Sequence, residues 1–128
     1  MKRMIAALLI CGLLTFMLSA CSSNSAPQGQ DPSKVTIELV TDPEPVPTKQ
    51  KVKITAQVTG LVKEEGAKVQ FDIRRGSNGL PELLTAEPDG KGGYSTEKTF
   101  DRDGKYTIYI HLYQGELHIT KKKQFDVS

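Results

Sequence analysis

The most informative part of the sequence is residues 105–120, which read KYTIYIHLYQGELHIT. From Tyr106 to Leu112 every second residue is Tyr, Ile or Leu, and the residues between them are polar or aromatic. This period of two is that of a β-strand with one face in the core. Alternation resumes at Leu117, so we predict a hairpin with its turn at Gln114-Gly115. In this register Leu112 faces Leu117 and apolar side chains pair on the core side.

The same period continues through most of the chain before the hairpin. Counting the hairpin, about seven short strands are predicted, near residues 35–39, 52–58, 67–73, 83–87, 94–100, 106–113 and 117–127. No stretch shows the period of an amphipathic helix. The strand at Tyr94–Phe100 has polar residues on both faces, so we expect it at a sheet edge. The pattern predicts an all-β antiparallel sandwich.

Gly104 to Ile108 resembles the start of the sixth strand of immunoglobulin-like domains. In such domains a tyrosine at this corner sits two residues before a core position, and its hydroxyl bonds to upstream backbone. Tyr106 would be that tyrosine and Ile108 the core residue. The alternative is a core tyrosine without the corner hydrogen bond. The predicted fold is therefore an immunoglobulin-like β-sandwich.

The first twenty residues are predicted to be a lipoprotein signal peptide. Lys2 and Arg3 precede an apolar run of 14 residues, Ile5–Leu18, which is short for a membrane-spanning helix. Leu18-Ser19-Ala20-Cys21 resembles the bacterial lipobox, which implies cleavage before Cys21 and attachment of palmitate-type acyl chains to it. We therefore expect an extracytoplasmic protein anchored in the cell membrane by lipid. The alternative is an ordinary secretory signal with an incidental Cys21.

Residues 21–33 are predicted to form a lipidated, flexible tether. They contain SSNSAPQGQDPS, which is rich in Ser, Gln and Pro and lacks apolar periodicity. Such a segment typically reaches roughly 20 Å. The alternative is an ordered N-terminal arm. Residues 34–128 are then the β-sandwich domain.

Charge and composition exclude several functions. The formal charge is +2, and Lys2 and Arg3 account for it, so the predicted mature chain is neutral. A protein without a net positive charge is not expected to bind nucleic acid. Cys11 lies in the signal and Cys21 carries lipid, which removes thiol catalysis and Cys-based zinc sites. With no nucleophile elbow, phosphate-binding glycine loop or carboxylate pair, we expect no enzyme activity.

The two histidines are the principal candidate site. In the predicted register His111 faces His118 on the outer side of the hairpin, where partners have Cβ atoms about 4.5–5.5 Å apart. With Glu116, two imidazoles and one carboxylate make a weak site for copper or zinc. The alternative is that both histidines are ordinary polar residues of a solvated face. Tyr109 and Tyr113 share this face and are a candidate interaction surface.

Lys121, Lys122 and Lys123 form the densest basic run. Two of them fall on the core side of the alternation, which predicts a β-bulge or an exit from the sandwich there. We interpret the run as a solvated edge that discourages aggregation. The alternative is contact with anionic lipids or wall polymers.

Several short motifs in sequence order make the chain similar to the YtkA-like, or FixH-like, domain family. They are Thr41–Pro45, Gly66–Val69, Glu87–Gly90 with Gly93-Tyr94, Gly104–Tyr106, Ile110–Leu112 and Leu117–Ile119. The resemblance implies an immunoglobulin-like sandwich in a lipoprotein, associated with respiratory-oxidase or copper-handling accessory proteins. Family members often carry Met beside the second histidine, where this chain has Leu117 and Ile119-Thr120. No Met follows Met17, so the thioether ligands suited to Cu(I) are absent.

Three functions remain open from the sequence. We expect a non-catalytic, lipid-anchored envelope protein whose YtkA-like domain binds an envelope protein or polymer. The first alternative is a copper- or zinc-binding accessory protein that uses His111, His118 and Glu116. The second is a wall module that binds a sugar or polymer on Tyr109 and Tyr113.

Overall fold

The computed structural model describes residues 27–128. The predicted signal peptide and Cys21 lie outside the described residues. The elements are a short 3₁₀ helix, Pro32–Lys34, and eight strands: β1 Thr36–Asp42, β2 Lys51–Thr59, β3 Lys68–Arg75, β4 Glu82–Thr85, β5 Glu87–Pro88, β6 Gly93–Thr99, β7 Gly104–Gln114 and β8 Leu117–Val127. Across residues 27–128 no helix has the length and apolar character needed to span a membrane.

The strands form two antiparallel sheets that pack as a sandwich. One sheet has the order β1-β2-β6-β5 and the other has the order β4-β3-β7-β8. The first order matches strands A, B, E and D of an immunoglobulin constant-type domain, and β3-β7-β8 matches C, F and G. The predicted all-β, immunoglobulin-like sandwich is therefore confirmed.

The strand predicted at residues 83–87 is divided between the two sheets. β4 pairs with β3, whereas β5 pairs with β6 in the other sheet. The change of sheet occurs at Ala86, which is buried and whose N–H donates to the carbonyl of Val69 at 2.9 Å. Because β5 covers the start of β6 at Tyr94 and Ser95, the predicted edge position of β6 is wrong there.

The core is built by the inward residues of the central strands. Those of β2, β3 and β7 are almost fully buried: Val52, Ile54, Ala56, Val69, Phe71, Ile73, Ile108, Ile110 and Leu112. β-branched and aromatic side chains suit this position because they pack well on a pleated surface. The alternation seen in the sequence therefore corresponds to the two sides of each sheet.

A tyrosine corner stabilises the start of β7. The hydroxyl of Tyr106 donates to the backbone carbonyl of Arg102 at 2.8 Å, which confirms the predicted corner. The Tyr106 ring meets Phe100 edge to face at 4.9 Å between centroids and stacks on Phe125 at 5.9 Å. These contacts close one end of the sandwich with an aromatic cluster.

The β7–β8 hairpin has a different register from the predicted one. Its turn is Gly115-Glu116, with Gly115 at a φ of 58°, so Leu112 pairs with Ile119 rather than Leu117. The cause is Gln114, whose buried amide donates to the carbonyls of Lys63 and Glu65, both at 2.9 Å. This clamp keeps Gln114 in β7 and moves the turn by one residue. Since β8 shifts by two residues against β7, each side chain stays on its predicted face.

The lysine run does not interrupt β8. The pairing with β7 continues without a break through Lys121, Lys122 and Lys123, so the predicted bulge or exit is wrong. β8 is an edge strand, and Lys123 lines an open groove of about 420 Å³ beside β1, with Glu38 and Glu44. An inward-pointing charge is tolerated at this edge because solvent reaches it, and it discourages edge-to-edge pairing.

Candidate functional site

Both histidines lie on the outer face of the sheet formed by β3, β7 and β8. We call this surface the histidine face and define it by its outward residues: Lys68, Gln70, Asp72, Arg74, Tyr109, His111, Tyr113, His118, Thr120 and Lys122. In the observed register Tyr113 pairs with His118 and His111 pairs with Thr120. The two histidines are therefore diagonal neighbours, not the direct partners that the sequence predicted.

The diagonal arrangement still brings the imidazole rings together. Nδ1 of His111 lies 3.2 Å from Nε2 of His118. The Thr120 hydroxyl lies 3.1 Å from Nδ1 of His111 and 3.3 Å from Nε2 of His118. Three polar atoms thus form a nearly equilateral triangle on the surface of the sheet.

Tyr113 holds the His118 ring in place. The two rings stack at 4.4 Å between centroids with an interplanar angle of 21°, and Tyr113 is also nearly parallel to His111 at 6.1 Å. Tyr113 remains 37% exposed, and His118 is exposed as well. The stack orients the imidazole of His118 and leaves the two rings exposed to solvent.

A second polar group lies beside the pair. The guanidinium of Arg74 donates to both carboxylate oxygens of Asp72, at 3.0 and 2.9 Å, and lies 5.3 Å above the centre of the Tyr109 ring. These hydrogen bonds lower the pKa of Asp72, which is only 8% exposed. Its charge is therefore compensated by Arg74. One face of each tyrosine of the predicted interaction surface is thus already occupied, by Arg74 or by His118.

The surroundings favour a neutral His111. Burial lowers the pKa of His111 below its ordinary value of 6.5, and repulsion from His118 lowers it further. The carboxylate of Asp72 opposes this shift without reversing it. A neutral imidazole keeps a lone pair, which is the form that binds metal ions.

We predict that His111→Gln makes folding stability less sensitive to acid. The unfolded chain protonates this histidine near its ordinary pKa of 6.5, whereas the folded chain does so at lower pH. Wild-type stability therefore falls as pH drops through 6.5, until the pH is below the folded pKa. Asp72 does not contribute in this window because its pKa is lowered from 3.8. Urea unfolding at about pH 7 and about pH 5 measures the effect. An equal loss of stability in the variant would contradict it.

The pair has the spacing of two metal ligands. Two nitrogens bound to one tetrahedral Zn²⁺ at 2.0–2.1 Å lie about 3.3 Å apart, close to the separation of the two imidazole nitrogens. Among residues 27–128 there is no group of three or more His, Cys, Asp or Glu that could hold a metal ion. Glu116 lies in the hairpin turn and does not complete such a group with His111 and His118.

Several members of the histidine face were not identified as candidate site residues from the sequence, among them Asp72 and Arg74, and the contact of Thr120 with both histidines was not predicted. Thr120 joins the two histidines because the register differs from the predicted one. Asp72 and Arg74 lie on β3, which pairs with β7, so Asp72 is opposite Tyr109. Their Asp-x-Arg spacing on one side of a strand is a signal that could have indicated the ion pair.

Comparison with solved structures supports the fold. The chain is similar to an engineered protein from the Northeast Structural Genomics Consortium, with a TM-score of 0.58 and 11% identity over 77% of this chain and 21% of the other. It thus spans about a fifth of that protein. It is also similar to the soluble domain of PmoD from Methylocystis sp. ATCC 49242 (Rockwell), with a TM-score of 0.51 and 16% identity over 73% of this chain and 90% of the other. At these identities the likeness establishes the fold alone.

Comparison of sequences identifies the family. No curated protein matches the chain. The family model described as YtkA-like matches residues 29–111, a range that ends at the first histidine and excludes His118 and Thr120. This range begins next to Gln30, whose side chain accepts a hydrogen bond from the N–H of Val62 at 2.8 Å. The match covers well over half of the chain, which therefore belongs to the YtkA-like family.

Proposed function

We propose that this chain is a non-catalytic, lipid-anchored protein of the cell envelope whose YtkA-like domain binds a partner through the histidine face. Membership of the YtkA-like family and the likeness to the PmoD soluble domain support an envelope-associated accessory domain. The partner is an envelope protein or polymer on the extracytoplasmic side. No nucleic acid is expected, because the predicted mature chain has no net charge.

The observation that carries the proposal is the exposed stack of Tyr113 and His118 on an outer sheet face. Aromatic rings are enriched in binding surfaces because they bury a large area while losing few torsional degrees of freedom. Here the stack and the Asp72–Arg74 pair hold the rings before any partner arrives. A preorganised surface loses less entropy on binding.

The lipobox-like sequence Leu18–Cys21 supports the anchor, and the contacts of Gln30 support a short distance between the domain and the membrane. Gln30 contacts the backbone at Gly60 and Val62, so the predicted tether, residues 21–33, is fixed to the domain at Gln30. From Cys21 to Gln30 an extended chain spans at most about 30 Å. The end of the sandwich that carries the β2–β3 loop would therefore stay near the bilayer.

Metabolic labelling with an alkyne analogue of palmitate tests the anchor. We expect label on the wild-type chain and on the matched control Cys11→Ser, because Cys11 lies in the part predicted to be removed. Cys21→Ser should carry none. Equal labelling of Cys21→Ser and wild type would refute the lipid anchor. Sustained turnover of a substrate by the purified protein would refute the non-catalytic role.

A metal-binding accessory protein is the second candidate function. The observation that favours it is the 3.2 Å separation of the two imidazole nitrogens, and the lowered pKa of His111 favours its neutral form. Neutral imidazoles suit Zn²⁺ and Cu²⁺. The test is a titration of both ions into wild type and His118→Ala, with weaker binding expected in the variant. Sugar binding on the tyrosines has less support, since Arg74 and His118 occupy one face of each ring.

A further inference from the structure

The candidate metal site is incomplete within the described chain. His111 and His118 supply two ligands, whereas Zn²⁺ in proteins takes three or four from side chains, with water in any open position. The polar atom that contacts both imidazole nitrogens is the neutral Thr120 hydroxyl, which is not among the usual zinc ligands. An ion held here keeps open coordination positions. They face solvent, because His118 and Thr120 are exposed.

The charge around the pair selects which donors can fill those positions. Lys68 pairs with Tyr113 across β3 and β7, and Lys122 pairs with Tyr109 across β7 and β8. Both lysines are exposed, and neither takes part in an ion pair among residues 27–128. Asp72 is compensated by Arg74, and Asp126, on the same side of β8, pairs across the strands with Lys105, near the opposite end of β7 from His111. The rim is therefore positive and attracts carboxylates, which are also ligands of Zn²⁺.

We propose that a divalent cation on His111 and His118 joins this domain to an acidic segment of a partner protein, whose carboxylate completes the coordination. This inference rests on the metal-binding candidate and unites it with a binding role for the histidine face. A second copy of the chain is disfavoured as the partner, because it would bring its own Lys68 and Lys122 against the same residues. The metal supplies binding strength, and the lysines supply preference for acidic partners.

The test uses the purified full chain and a fluorescent hexaglutamate peptide, whose anisotropy reports binding with and without Zn²⁺. We expect Zn²⁺ to tighten peptide binding at least about tenfold. His118→Gln should remove this gain. The double change Lys68→Ala and Lys122→Ala should weaken peptide binding but leave Zn²⁺ affinity nearly unchanged. Lys53→Ala removes an exposed lysine of the opposite sheet; it is the control for each single change, Lys68→Ala or Lys122→Ala, and should change neither affinity.

The possible failures are distinguishable. If Zn²⁺ binds to wild type and the peptide binds no better, the bridge is refuted and the metal site stands. If Zn²⁺ does not bind, both the bridge and the metal-binding candidate are refuted. Peptide binding of equal strength without Zn²⁺ would show simple charge attraction and would also overturn the bridge.

Discussion

Replacing Phe100 with alanine is expected to lower the free energy of unfolding by about 3–5 kcal/mol. The ring is 1% exposed and contacts both Tyr106 and Phe125 edge to face or nearly so. Its removal costs the transfer energy of the ring, leaves a cavity and breaks these aromatic contacts. Domains of this size are stable by about 5–15 kcal/mol, so the variant should lose a large part of its stability. Urea denaturation followed by circular dichroism measures the change.

The control for this prediction is Leu83→Ala. Leu83, which lies on β4, is also a large apolar residue, but it is 59% exposed, so its loss should cost no more than about 0.5 kcal/mol. If Phe100→Ala destabilised the domain as little as Leu83→Ala, Phe100 would not belong to the core.

Replacing His118 with alanine is expected to weaken binding of Zn²⁺ and Cu²⁺ by at least about 100-fold, which corresponds to about 2.7 kcal/mol. The variant retains one imidazole, so the ion loses the second nitrogen that lies 3.2 Å from Nδ1 of His111. Binding should also weaken as the pH falls, since protons compete for both imidazoles. Competition with a chromophoric chelator measures the affinity.

Tyr109→Phe is the matched control, because it changes an aromatic residue of the same face and keeps both histidines. Its affinity should equal that of wild type. Neither substitution changes a cysteine, so the difference between the variants isolates the contribution of His118. Affinities of wild type and His118→Ala that agree within error would exclude the pair as a metal site.

The fold was predictable because a sandwich repeats one simple pattern. Alternation in β2, β3 and β7 places apolar side chains on one side of each strand, and burial of these residues follows directly. The tyrosine corner was predictable from local sequence because it needs only Tyr106 and backbone four residues before it. Membership of the YtkA-like family, inferred from motif order, is confirmed by the family match over residues 29–111.

Features that depend on contacts between distant segments were not predictable. The position of the hairpin turn is set by Gln114, which bonds to the carbonyls of Lys63 and Glu65 about fifty residues earlier. The residues around Gln114 contain no pattern that predicts these two hydrogen bonds. The crossing at Ala86 likewise depends on its bond to Val69 in another strand.

The site was predicted in part for the same reason. A register shift of two residues leaves each side chain on the same side of the sheet. His111 and His118 therefore contact each other even though the predicted pairing is wrong. The register shift does change which residues are neighbours of the histidines. It brings the Thr120 hydroxyl within hydrogen-bond distance of both imidazole nitrogens, a contact that was not predicted. The predicted carboxylate ligand, Glu116, is now part of the turn.

That His111 and His118 form one binding site is tested most directly by anomalous X-ray diffraction at the zinc edge from crystals grown with Zn²⁺. We expect one peak on the histidine face, about 2.0–2.1 Å from both Nδ1 of His111 and Nε2 of His118. Zinc at other sites with no peak between these two nitrogens would contradict the assignment.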